Sequence, residues 1–234
     1  MKKYRILFLL SLLFSLGFSW PWPLSVLFSS SNTETFGSNP WLQKEEQIFS
    51  SRTDINSHVL HLSLVAYIHA KKKGLVQNPY LTVVDFSKPS NEKRLWVLDL
   101  NNGREVFDTF VSHGKNSGGL VPTSFSNTSG SLKSSLGVYL TEDTYFGKDG
   151  YSLHLRGLER GINDNAYRRS VIIHGAWYVN PDTIRKYGQA GKSWGCLAVG
   201  SDLAKPIINT IKDRSVVFAY YPDRNWLSHS QYLT

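Results

Sequence analysis

The sequence predicts a mainly β domain, with one helix before the first strand and short helices inserted late. Short runs of β-branched and aromatic residues alternate with clusters of Gly, Asn, Ser and Pro, which is typical of strands separated by turns. The chain has 234 residues, of which 41% are hydrophobic and 13% aromatic, so it can bury a core. The predicted strands are residues 80–86, 94–100, 105–113, 137–143, 151–158, 170–177 and 215–221.

Local signals mark the turns and helices between these strands. Asn-Asn-Gly at 101–103 separates two strand runs and predicts a hairpin. Lys71, Lys72 and Lys73 favour the C-terminal end of a helix dipole, and Pro181 suits a first helical position. The predicted helices, each with its expected cap, are 54–73 (Asp54), 180–188 (Asn180) and 201–213 (Ser201).

The N-terminus has the composition of an export signal. Residues 1–5 carry three positive charges, residues 6–18 are apolar, and Gly17-Phe18-Ser19 offers small residues at the spacing a signal peptidase needs. Pro21 and Pro23 interrupt the apolar run, so cleavage is expected before them. The mature protein is therefore predicted to work outside the cytoplasm. An uncleaved signal acting as a membrane anchor is the alternative.

Charge and residue counts exclude several classes of partner and site. The chain has 26 basic and 18 acidic residues, a net charge of +8, but the bases are scattered, so no nucleic-acid partner is predicted. Arg168 and Arg169 are interpreted as surface charge, with bidentate binding of a ligand carboxylate as the alternative. His58, His61 and His69 lie on the first predicted helix without a His-Glu-x-x-His pattern, so neither a metal site nor a cofactor is predicted.

The single cysteine, Cys196, lies in a glycine-rich segment downstream of a histidine at a strand end. A free thiol has a pKa of about 8.5, and a neighbouring imidazole such as His174 converts it to a nucleophilic thiolate. Gly195 allows close backbone approach, so its N–H and that of Cys196 are expected to form an oxyanion hole. From these residues alone, a buried and inert cysteine remains the alternative.

Two motifs resemble the catalytic signature of a known family. Ile173-His174-Gly175-Ala176 is followed by Ser193-Trp194-Gly195-Cys196. Together they are similar to the signature of the murein L,D-transpeptidases, the YkuD-like enzymes, in the branch that has Ser-x-Gly-Cys. The resemblance covers roughly residues 80–222. Further blocks that match in the same order are 112–118, 134–139, 144–147 and 157–159.

The resemblance implies an L,D-transpeptidase-like β-sandwich or barrel that acts on peptidoglycan stem peptides in the periplasm or at the cell wall. Cys196 is then the nucleophile and His174 the general base and acid, with Ser193 and Gly195 supporting the loop. D-Ala leaves the third stem residue as a thioester forms. An amine resolves this thioester in a transpeptidase, and water resolves it in a carboxypeptidase. A catalytically idle cell-wall-binding relative and an unrelated cysteine peptidase are the alternatives.

The chain departs from the family pattern beside the nucleophile. Trp194 replaces the usual histidine and cannot transfer protons, and Ala198 stands where relatives often have Arg or Asn. Trp194 and Gly175 are predicted as possible substrate contacts. His113 is expected to line the cleft and orient His174 or the stem peptide, with a solvated turn residue as the alternative.

The predicted organisation has four segments. Residues 20–53 are rich in Ser, Asn, Thr and Pro and are expected to form a loose leader. The segments are a signal peptide (1–19), a leader with the N-terminal helix (20–74), the L,D-transpeptidase-like catalytic domain (75–225) and a C-terminal tail (226–234).

Overall fold

The strands of the domain form one continuous sheet. The computed structural model describes residues 39–234. Its strands are β1 (Tyr80–Asp85), β2 (Leu95–Asp99), β3 (Arg104–Thr109), β4 (Gly137–Gly147), β5 (Gly150–Gly157), β6 (Ile172–Ala176), β7 (Leu197–Gly200) and β8 (Val216–Tyr220). In this described part the order is β3-β2-β1-β8-β4-β5-β6-β7, parallel at β1–β8 and β6–β7 and antiparallel elsewhere. The mainly β prediction is confirmed.

All seven predicted runs contain a strand, but the sheet has an eighth, β7. Its four residues follow Cys196 directly and are too few to show an alternating pattern. Strand β4 also runs on to Gly147, past the predicted end at 143, and pairs with β5 along this extension. The hairpin at 101–103 is confirmed, because β2 and β3 are antiparallel neighbours on either side of it.

Five helices accompany the sheet within residues 39–234. They are α1 (Pro40–Ser50), α2 (Ser57–Lys72), α3 (Pro181–Tyr187), α4 (Ser201–Ile211) and α5 (Arg224–His229). The predicted helix 180–188 is confirmed as α3, with the Asn180 side chain accepting the Thr183 N–H at 2.8 Å.

Helix α1 corrects the prediction of a loose leader through residue 53. The Asn39 side chain accepts the N–H groups of Trp41 and Leu42, and Pro40 occupies the first turn, as at many helix starts. Leu42 and Phe49 are buried against the rest of the domain. Their burial stabilises a helix whose polar composition predicted a loop.

Two predicted helix caps are wrong. Helix α2 is capped by the Asn56 side chain and not by Asp54. The Asp54 carboxylate accepts the indole N–H of Trp96 at 2.8 Å. Helix α4 begins after Gly200, and Ser201 makes no side-chain capping bond.

Helices α2 and α4 both pack on the sheet, and the C-terminal segment is tied to it. Helix α2 contacts β1 and β8, whereas α4 contacts β1, β5, β6 and β7. Trp226 of α5 is buried, and its indole N–H donates to the Glu159 carboxylate at 3.1 Å. The domain boundaries at 74/75 and 225/226 stay predictions, although the segments on both sides of each belong to one packed unit.

The predicted signal peptide lies outside the described residues. Across residues 39–234, every helix is too short or too polar to cross a membrane.

Candidate active site

The parallel pairing of β6 and β7 brings the predicted nucleophile and base to one cleft. His174 on β6 is paired with Ala198 on β7, and Cys196 immediately precedes β7. Both side chains line a cleft of about 580 Å³, within the range of small-ligand sites. The lining also includes Lys148, Asp149, Arg169, Tyr178, Lys192 and Trp194.

His174 is held in the tautomer that a general base requires. The residue is buried, and its Nδ1 lies 3.0 Å from the carbonyl oxygen of Gly175. A carbonyl only accepts, so this contact assigns the ring proton to Nδ1 and leaves the Nε2 lone pair available. Gly175 itself packs on α4, where a Cβ would lie 3.1 Å from the Ala204 side chain. Its predicted contact with substrate stays a prediction.

The surroundings of Cys196 favour the neutral form of its thiol. Its Sγ lies 3.5 Å from the carbonyl oxygen of Ser170, to which it donates. Burial and the Asp149 charge raise the pKa of the thiol, against the opposing effects of a backbone hydrogen bond at Ile172 and of the nearby Arg169 and Lys148 cations. The thiolate–imidazolium pair expected from the sequence stays a prediction, and burial opposes it.

Ser193 and Gly195 fix the shape of the nucleophile loop (residues 193–196). Ser193 Oγ donates to the carbonyl oxygen of Cys196 at 2.8 Å and accepts the Gly195 N–H at 3.1 Å. Gly195 has a φ of +123°, and a Cβ there would lie 2.8 Å from the carbonyl oxygen of Lys133. Because its N–H is engaged by Ser193, the oxyanion donor predicted at Gly195 is wrong for this conformation. The Cys196 N–H remains the candidate donor.

Arg169 supports the same loop from its other side. Its guanidinium donates to the carbonyl oxygens of Ser126 and Lys133, both at 2.6 Å, and to two serine hydroxyls at 3.3 Å. The Lys133 carbonyl is the group that packs against Gly195. The interpretation of Arg169 as surface charge is therefore wrong. The available sequence signal was the serine-rich segment 124–135, whose acceptors meet Arg169 only in the folded chain.

Trp194 lies at the mouth of the cleft. Its side chain is 66% exposed, and Lys148 Nζ lies 4.5 Å from the centre of an indole ring, a cation–π distance. An indole this exposed contributes little to the core and offers its surface to a ligand. The predicted substrate contact of Trp194 stays a prediction.

His113 is buried behind the nucleophile loop and does not line the cleft. Arg94 Nη2 lies 2.8 Å from its Nδ1, and Lys192 Nζ lies 2.9 Å from its Nε2. Burial, together with these two cations, lowers the pKa of His113 to about 3, so the ring is neutral. Both sequence interpretations, a residue orienting His174 and a solvated turn residue, are wrong.

The sequence also matches a known catalytic domain over most of its length. The family model of the L,D-transpeptidase catalytic domain, YkuD_2, matches residues 51–220. The chain belongs to the L,D-transpeptidase catalytic domain family. The matched region contains Cys196 and His174 and extends from α2 to the end of β8. The family predicted from the two motifs is therefore confirmed, and the domain is an L,D-transpeptidase-like enzyme domain.

Several solved structures are similar to parts of this L,D-transpeptidase family member. An L,D-transpeptidase from Mycobacterium smegmatis is 13% identical, with a TM-score of 0.38, over 61% of this chain and 59% of that one. The helical cell shape determining protein Pgp2 from Campylobacter jejuni is 14% identical, with a TM-score of 0.41, over 63% and 49%. An L,D-transpeptidase from Stackebrandtia nassauensis is 13% identical, with a TM-score of 0.36, over 80% and 93%.

The chain thus spans less than two thirds of the length of the first two of these proteins. No curated protein matches the sequence. Within residues 39–234, no cluster of three or more His, Cys, Asp or Glu side chains is arranged to hold a metal ion.

Proposed function

We propose that this protein is an exported cysteine acyl transferase that modifies peptidoglycan stem peptides. One observation carries the proposal above the others. Cys196 and His174 line the same cleft, and the Gly175 carbonyl leaves Nε2 of His174 free to accept a proton. Membership of the L,D-transpeptidase family supports the substrate class.

The first half-reaction transfers the acyl group to sulfur. His174 Nε2 takes the thiol proton of Cys196 as Sγ attacks the carbonyl carbon of the third stem residue. The Cys196 N–H donates to the oxyanion that develops. When the tetrahedral intermediate collapses, the C–N bond breaks and His174 returns its proton to the amine of the leaving D-Ala. A thioester with Cys196 remains.

The second half-reaction releases the enzyme. An acceptor amine loses a proton to His174, attacks the thioester carbon and displaces Cys196, which regains its proton. Water in place of the amine gives the carboxypeptidase product. A thiol whose pKa is raised by burial suits this sequence, because ionisation is then coupled to attack on a bound substrate.

The N-terminal sequence supports export. The basic, apolar and small-residue segments before residue 20 have the order of a signal peptide, and peptidoglycan lies outside the cytoplasm. Intact mass of the exported protein tests this: cleavage removes the first 19 or so residues, and retention of Met1 contradicts it.

The decisive experiment is incubation of the mature protein with a disaccharide-tetrapeptide, with the products read by mass spectrometry. Loss of D-Ala together with a cross-linked dimer indicates transpeptidation, whereas loss of D-Ala alone indicates carboxypeptidation. The Cys196→Ala variant is the matched control and should give neither product. A wild-type protein whose thiol labels readily but which leaves the peptide intact supports the idle cell-wall-binding alternative.

A further inference from the structure

The cleft carries an excess of positive charge. Three cationic side chains line it, those of Lys148, Arg169 and Lys192, against the single carboxylate of Asp149. Arg169 is engaged by the backbone and serines behind the loop, and Lys148 lies over the Trp194 indole. Lys192 differs from both, because no carboxylate or aromatic ring face of residues 39–234 is paired with its ammonium.

Lys192 immediately precedes the nucleophile loop. Ser193, its neighbour in sequence, reaches across the loop to the carbonyl oxygen of Cys196 at 2.8 Å. The backbone around Lys192 is fixed as well, because the Ser193 N–H donates to the His113 carbonyl at 3.0 Å. The backbone that carries Lys192 is thus held in place beside the nucleophile loop.

The ammonium of Lys192 has fewer acceptors than donors. It donates to the carbonyl oxygen of Gly119 and lies 2.9 Å from His113 Nε2. A neutral imidazole has a single acceptor nitrogen, so Arg94 and Lys192 cannot both donate to His113. Lys192 therefore has at most two acceptors for its three N–H donors, and at least one donor is left for another group.

A second cation, Arg94, lies behind the first, and the nearby Asp85 carboxylate offsets part of its charge without forming an ion pair. Arg94 is fully buried and is held by the carbonyl oxygens of Val111 and Lys88. Among residues 39–234, no carboxylate lies within ion-pair distance of Arg94 or Lys192. Burial and the Arg94 charge accordingly lower the pKa of Lys192 to about 8. An anion at this wall of the cleft would favour the charged form of Lys192.

We propose that Lys192 binds the terminal carboxylate of the D-amino acid that leaves the stem peptide. The inference rests on the proposed function and adds a specificity-determining residue to it. In the leaving residue, the carboxylate and the scissile nitrogen are attached to the same carbon atom. A substrate whose scissile carbonyl reaches Cys196 therefore brings this anion close to the nucleophile loop, where Lys192 supplies an unused donor. A charge-assisted hydrogen bond here selects a donor peptide that ends at the leaving residue.

The test compares two donor substrates that differ only at this carboxylate. One is the disaccharide-tetrapeptide that ends in D-Ala, and the other is the same molecule with a C-terminal D-alaninamide. Lys192→Gln keeps a donor for Gly119 and removes the charge, so kcat/KM for the acid should fall about 10- to 100-fold. For the amide it should fall less than about threefold. Lys192→Arg should recover most of the preference for the acid.

Lys205→Gln is the matched control, because Lys205 is an exposed lysine on α4. It should change neither value. An equal loss on acid and amide in Lys192→Gln overturns the inference and assigns Lys192 a structural part in the loop. Equal kcat/KM for the two substrates in the wild type overturns it as well.

A binding measurement separates this inference from the proposed function. The Cys196→Ala variant cannot turn over, so calorimetry can compare its affinity for the acid and the amide with and without Lys192→Gln. Tighter binding of the acid that is lost with Lys192→Gln supports the carboxylate site even if turnover is absent. If the acid binds no better than the amide, the inference fails whatever the activity. Absence of any binding, together with absence of turnover, overturns both proposals.

Discussion

The Nδ1 atom of His174 lies 3.0 Å from the carbonyl oxygen of Gly175, its own neighbour on β6. Hydrolases with a triad fix the histidine tautomer with a carboxylate or amide side chain. Here the strand backbone supplies the acceptor, and the position usually filled by histidine in this family, Trp194, plays no part in it. The orientation of the His174 ring therefore depends on one peptide unit, which the close packing of Gly175 on α4 keeps in place.

If His174 is the base, His174→Ala should lower kcat for acyl transfer at least about 100-fold, since general acid–base catalysis contributes about 10²–10⁴. The residual rate should climb with pH, because the thiol must then ionise without help. The measurement is kcat between pH 6 and 10, with the exposed His229→Ala as control. Near-normal turnover at neutral pH would assign the base elsewhere. His113 is no substitute, because Arg94 and Lys192 occupy its ring nitrogens.

Alkylation of Cys196 should show that its thiol ionises at higher pH than an ordinary cysteine. Burial raises the pKa of this acid, so the neutral form persists to higher pH and the reactive thiolate appears above the ordinary range of about 8.5. The rate of iodoacetamide labelling should therefore reach its midpoint at higher pH in the folded protein than in the same protein unfolded in urea. Because the chain has one cysteine, intact mass reports this site alone. A labelling midpoint at lower pH in the folded protein than in the unfolded one would instead support a resting thiolate–imidazolium pair of Cys196 and His174.

Local signals predicted most of the sheet, and long-range packing decided what they missed. Strand β6 is rich in β-branched residues, and α3 begins with a capping residue followed by proline. Both elements can therefore be predicted from the local sequence. Helix α1 was missed because it is stabilised by packing on α2 and by the burial of Leu42 and Phe49 in the core. β7 exists as a strand because β6 pairs with it.

The site divides in the same way. Cys196 and His174 are recognisable by residue type and motif, and the fold brings them to one cleft. The supports of the loop are not recognisable, because Arg169 meets its carbonyl acceptors 36 and 43 positions away in the sequence. The sequence also did not predict that the pKa of the Cys196 thiol is raised, since the burial that raises it can be known only from the packed structure.

Trp194→Ala should weaken substrate capture without unfolding the protein. The indole is 66% exposed, so its loss leaves the core intact and Tm should hardly change, whereas KM should rise if the ring contacts the ligand. Trp226→Ala is the contrasting control, because removing that buried indole should lower the free energy of unfolding by about 3–5 kcal/mol. Trp194→His should change kcat by less than about tenfold. A fall in Tm for Trp194→Ala with unchanged KM would assign Trp194 a packing role.

Gly195→Ala should lower activity because the new side chain clashes with the backbone and displaces the nucleophile loop. Gly195 has a φ of +123°, and the new Cβ would lie 2.8 Å from the Lys133 carbonyl, which Arg169 holds in place. The backbone must therefore shift, and Cys196 shifts with it, so kcat should fall at least about tenfold, as small displacements of reacting groups do. Gly161→Ala also places alanine at positive φ, +78°, but with nothing within 4 Å of the new Cβ. It should carry only the backbone cost of about 1 kcal/mol, visible as a lower Tm, with kcat unchanged. Equal kcat losses in the two variants would mean that destabilisation, not the position of the thiol, explains the Gly195 result.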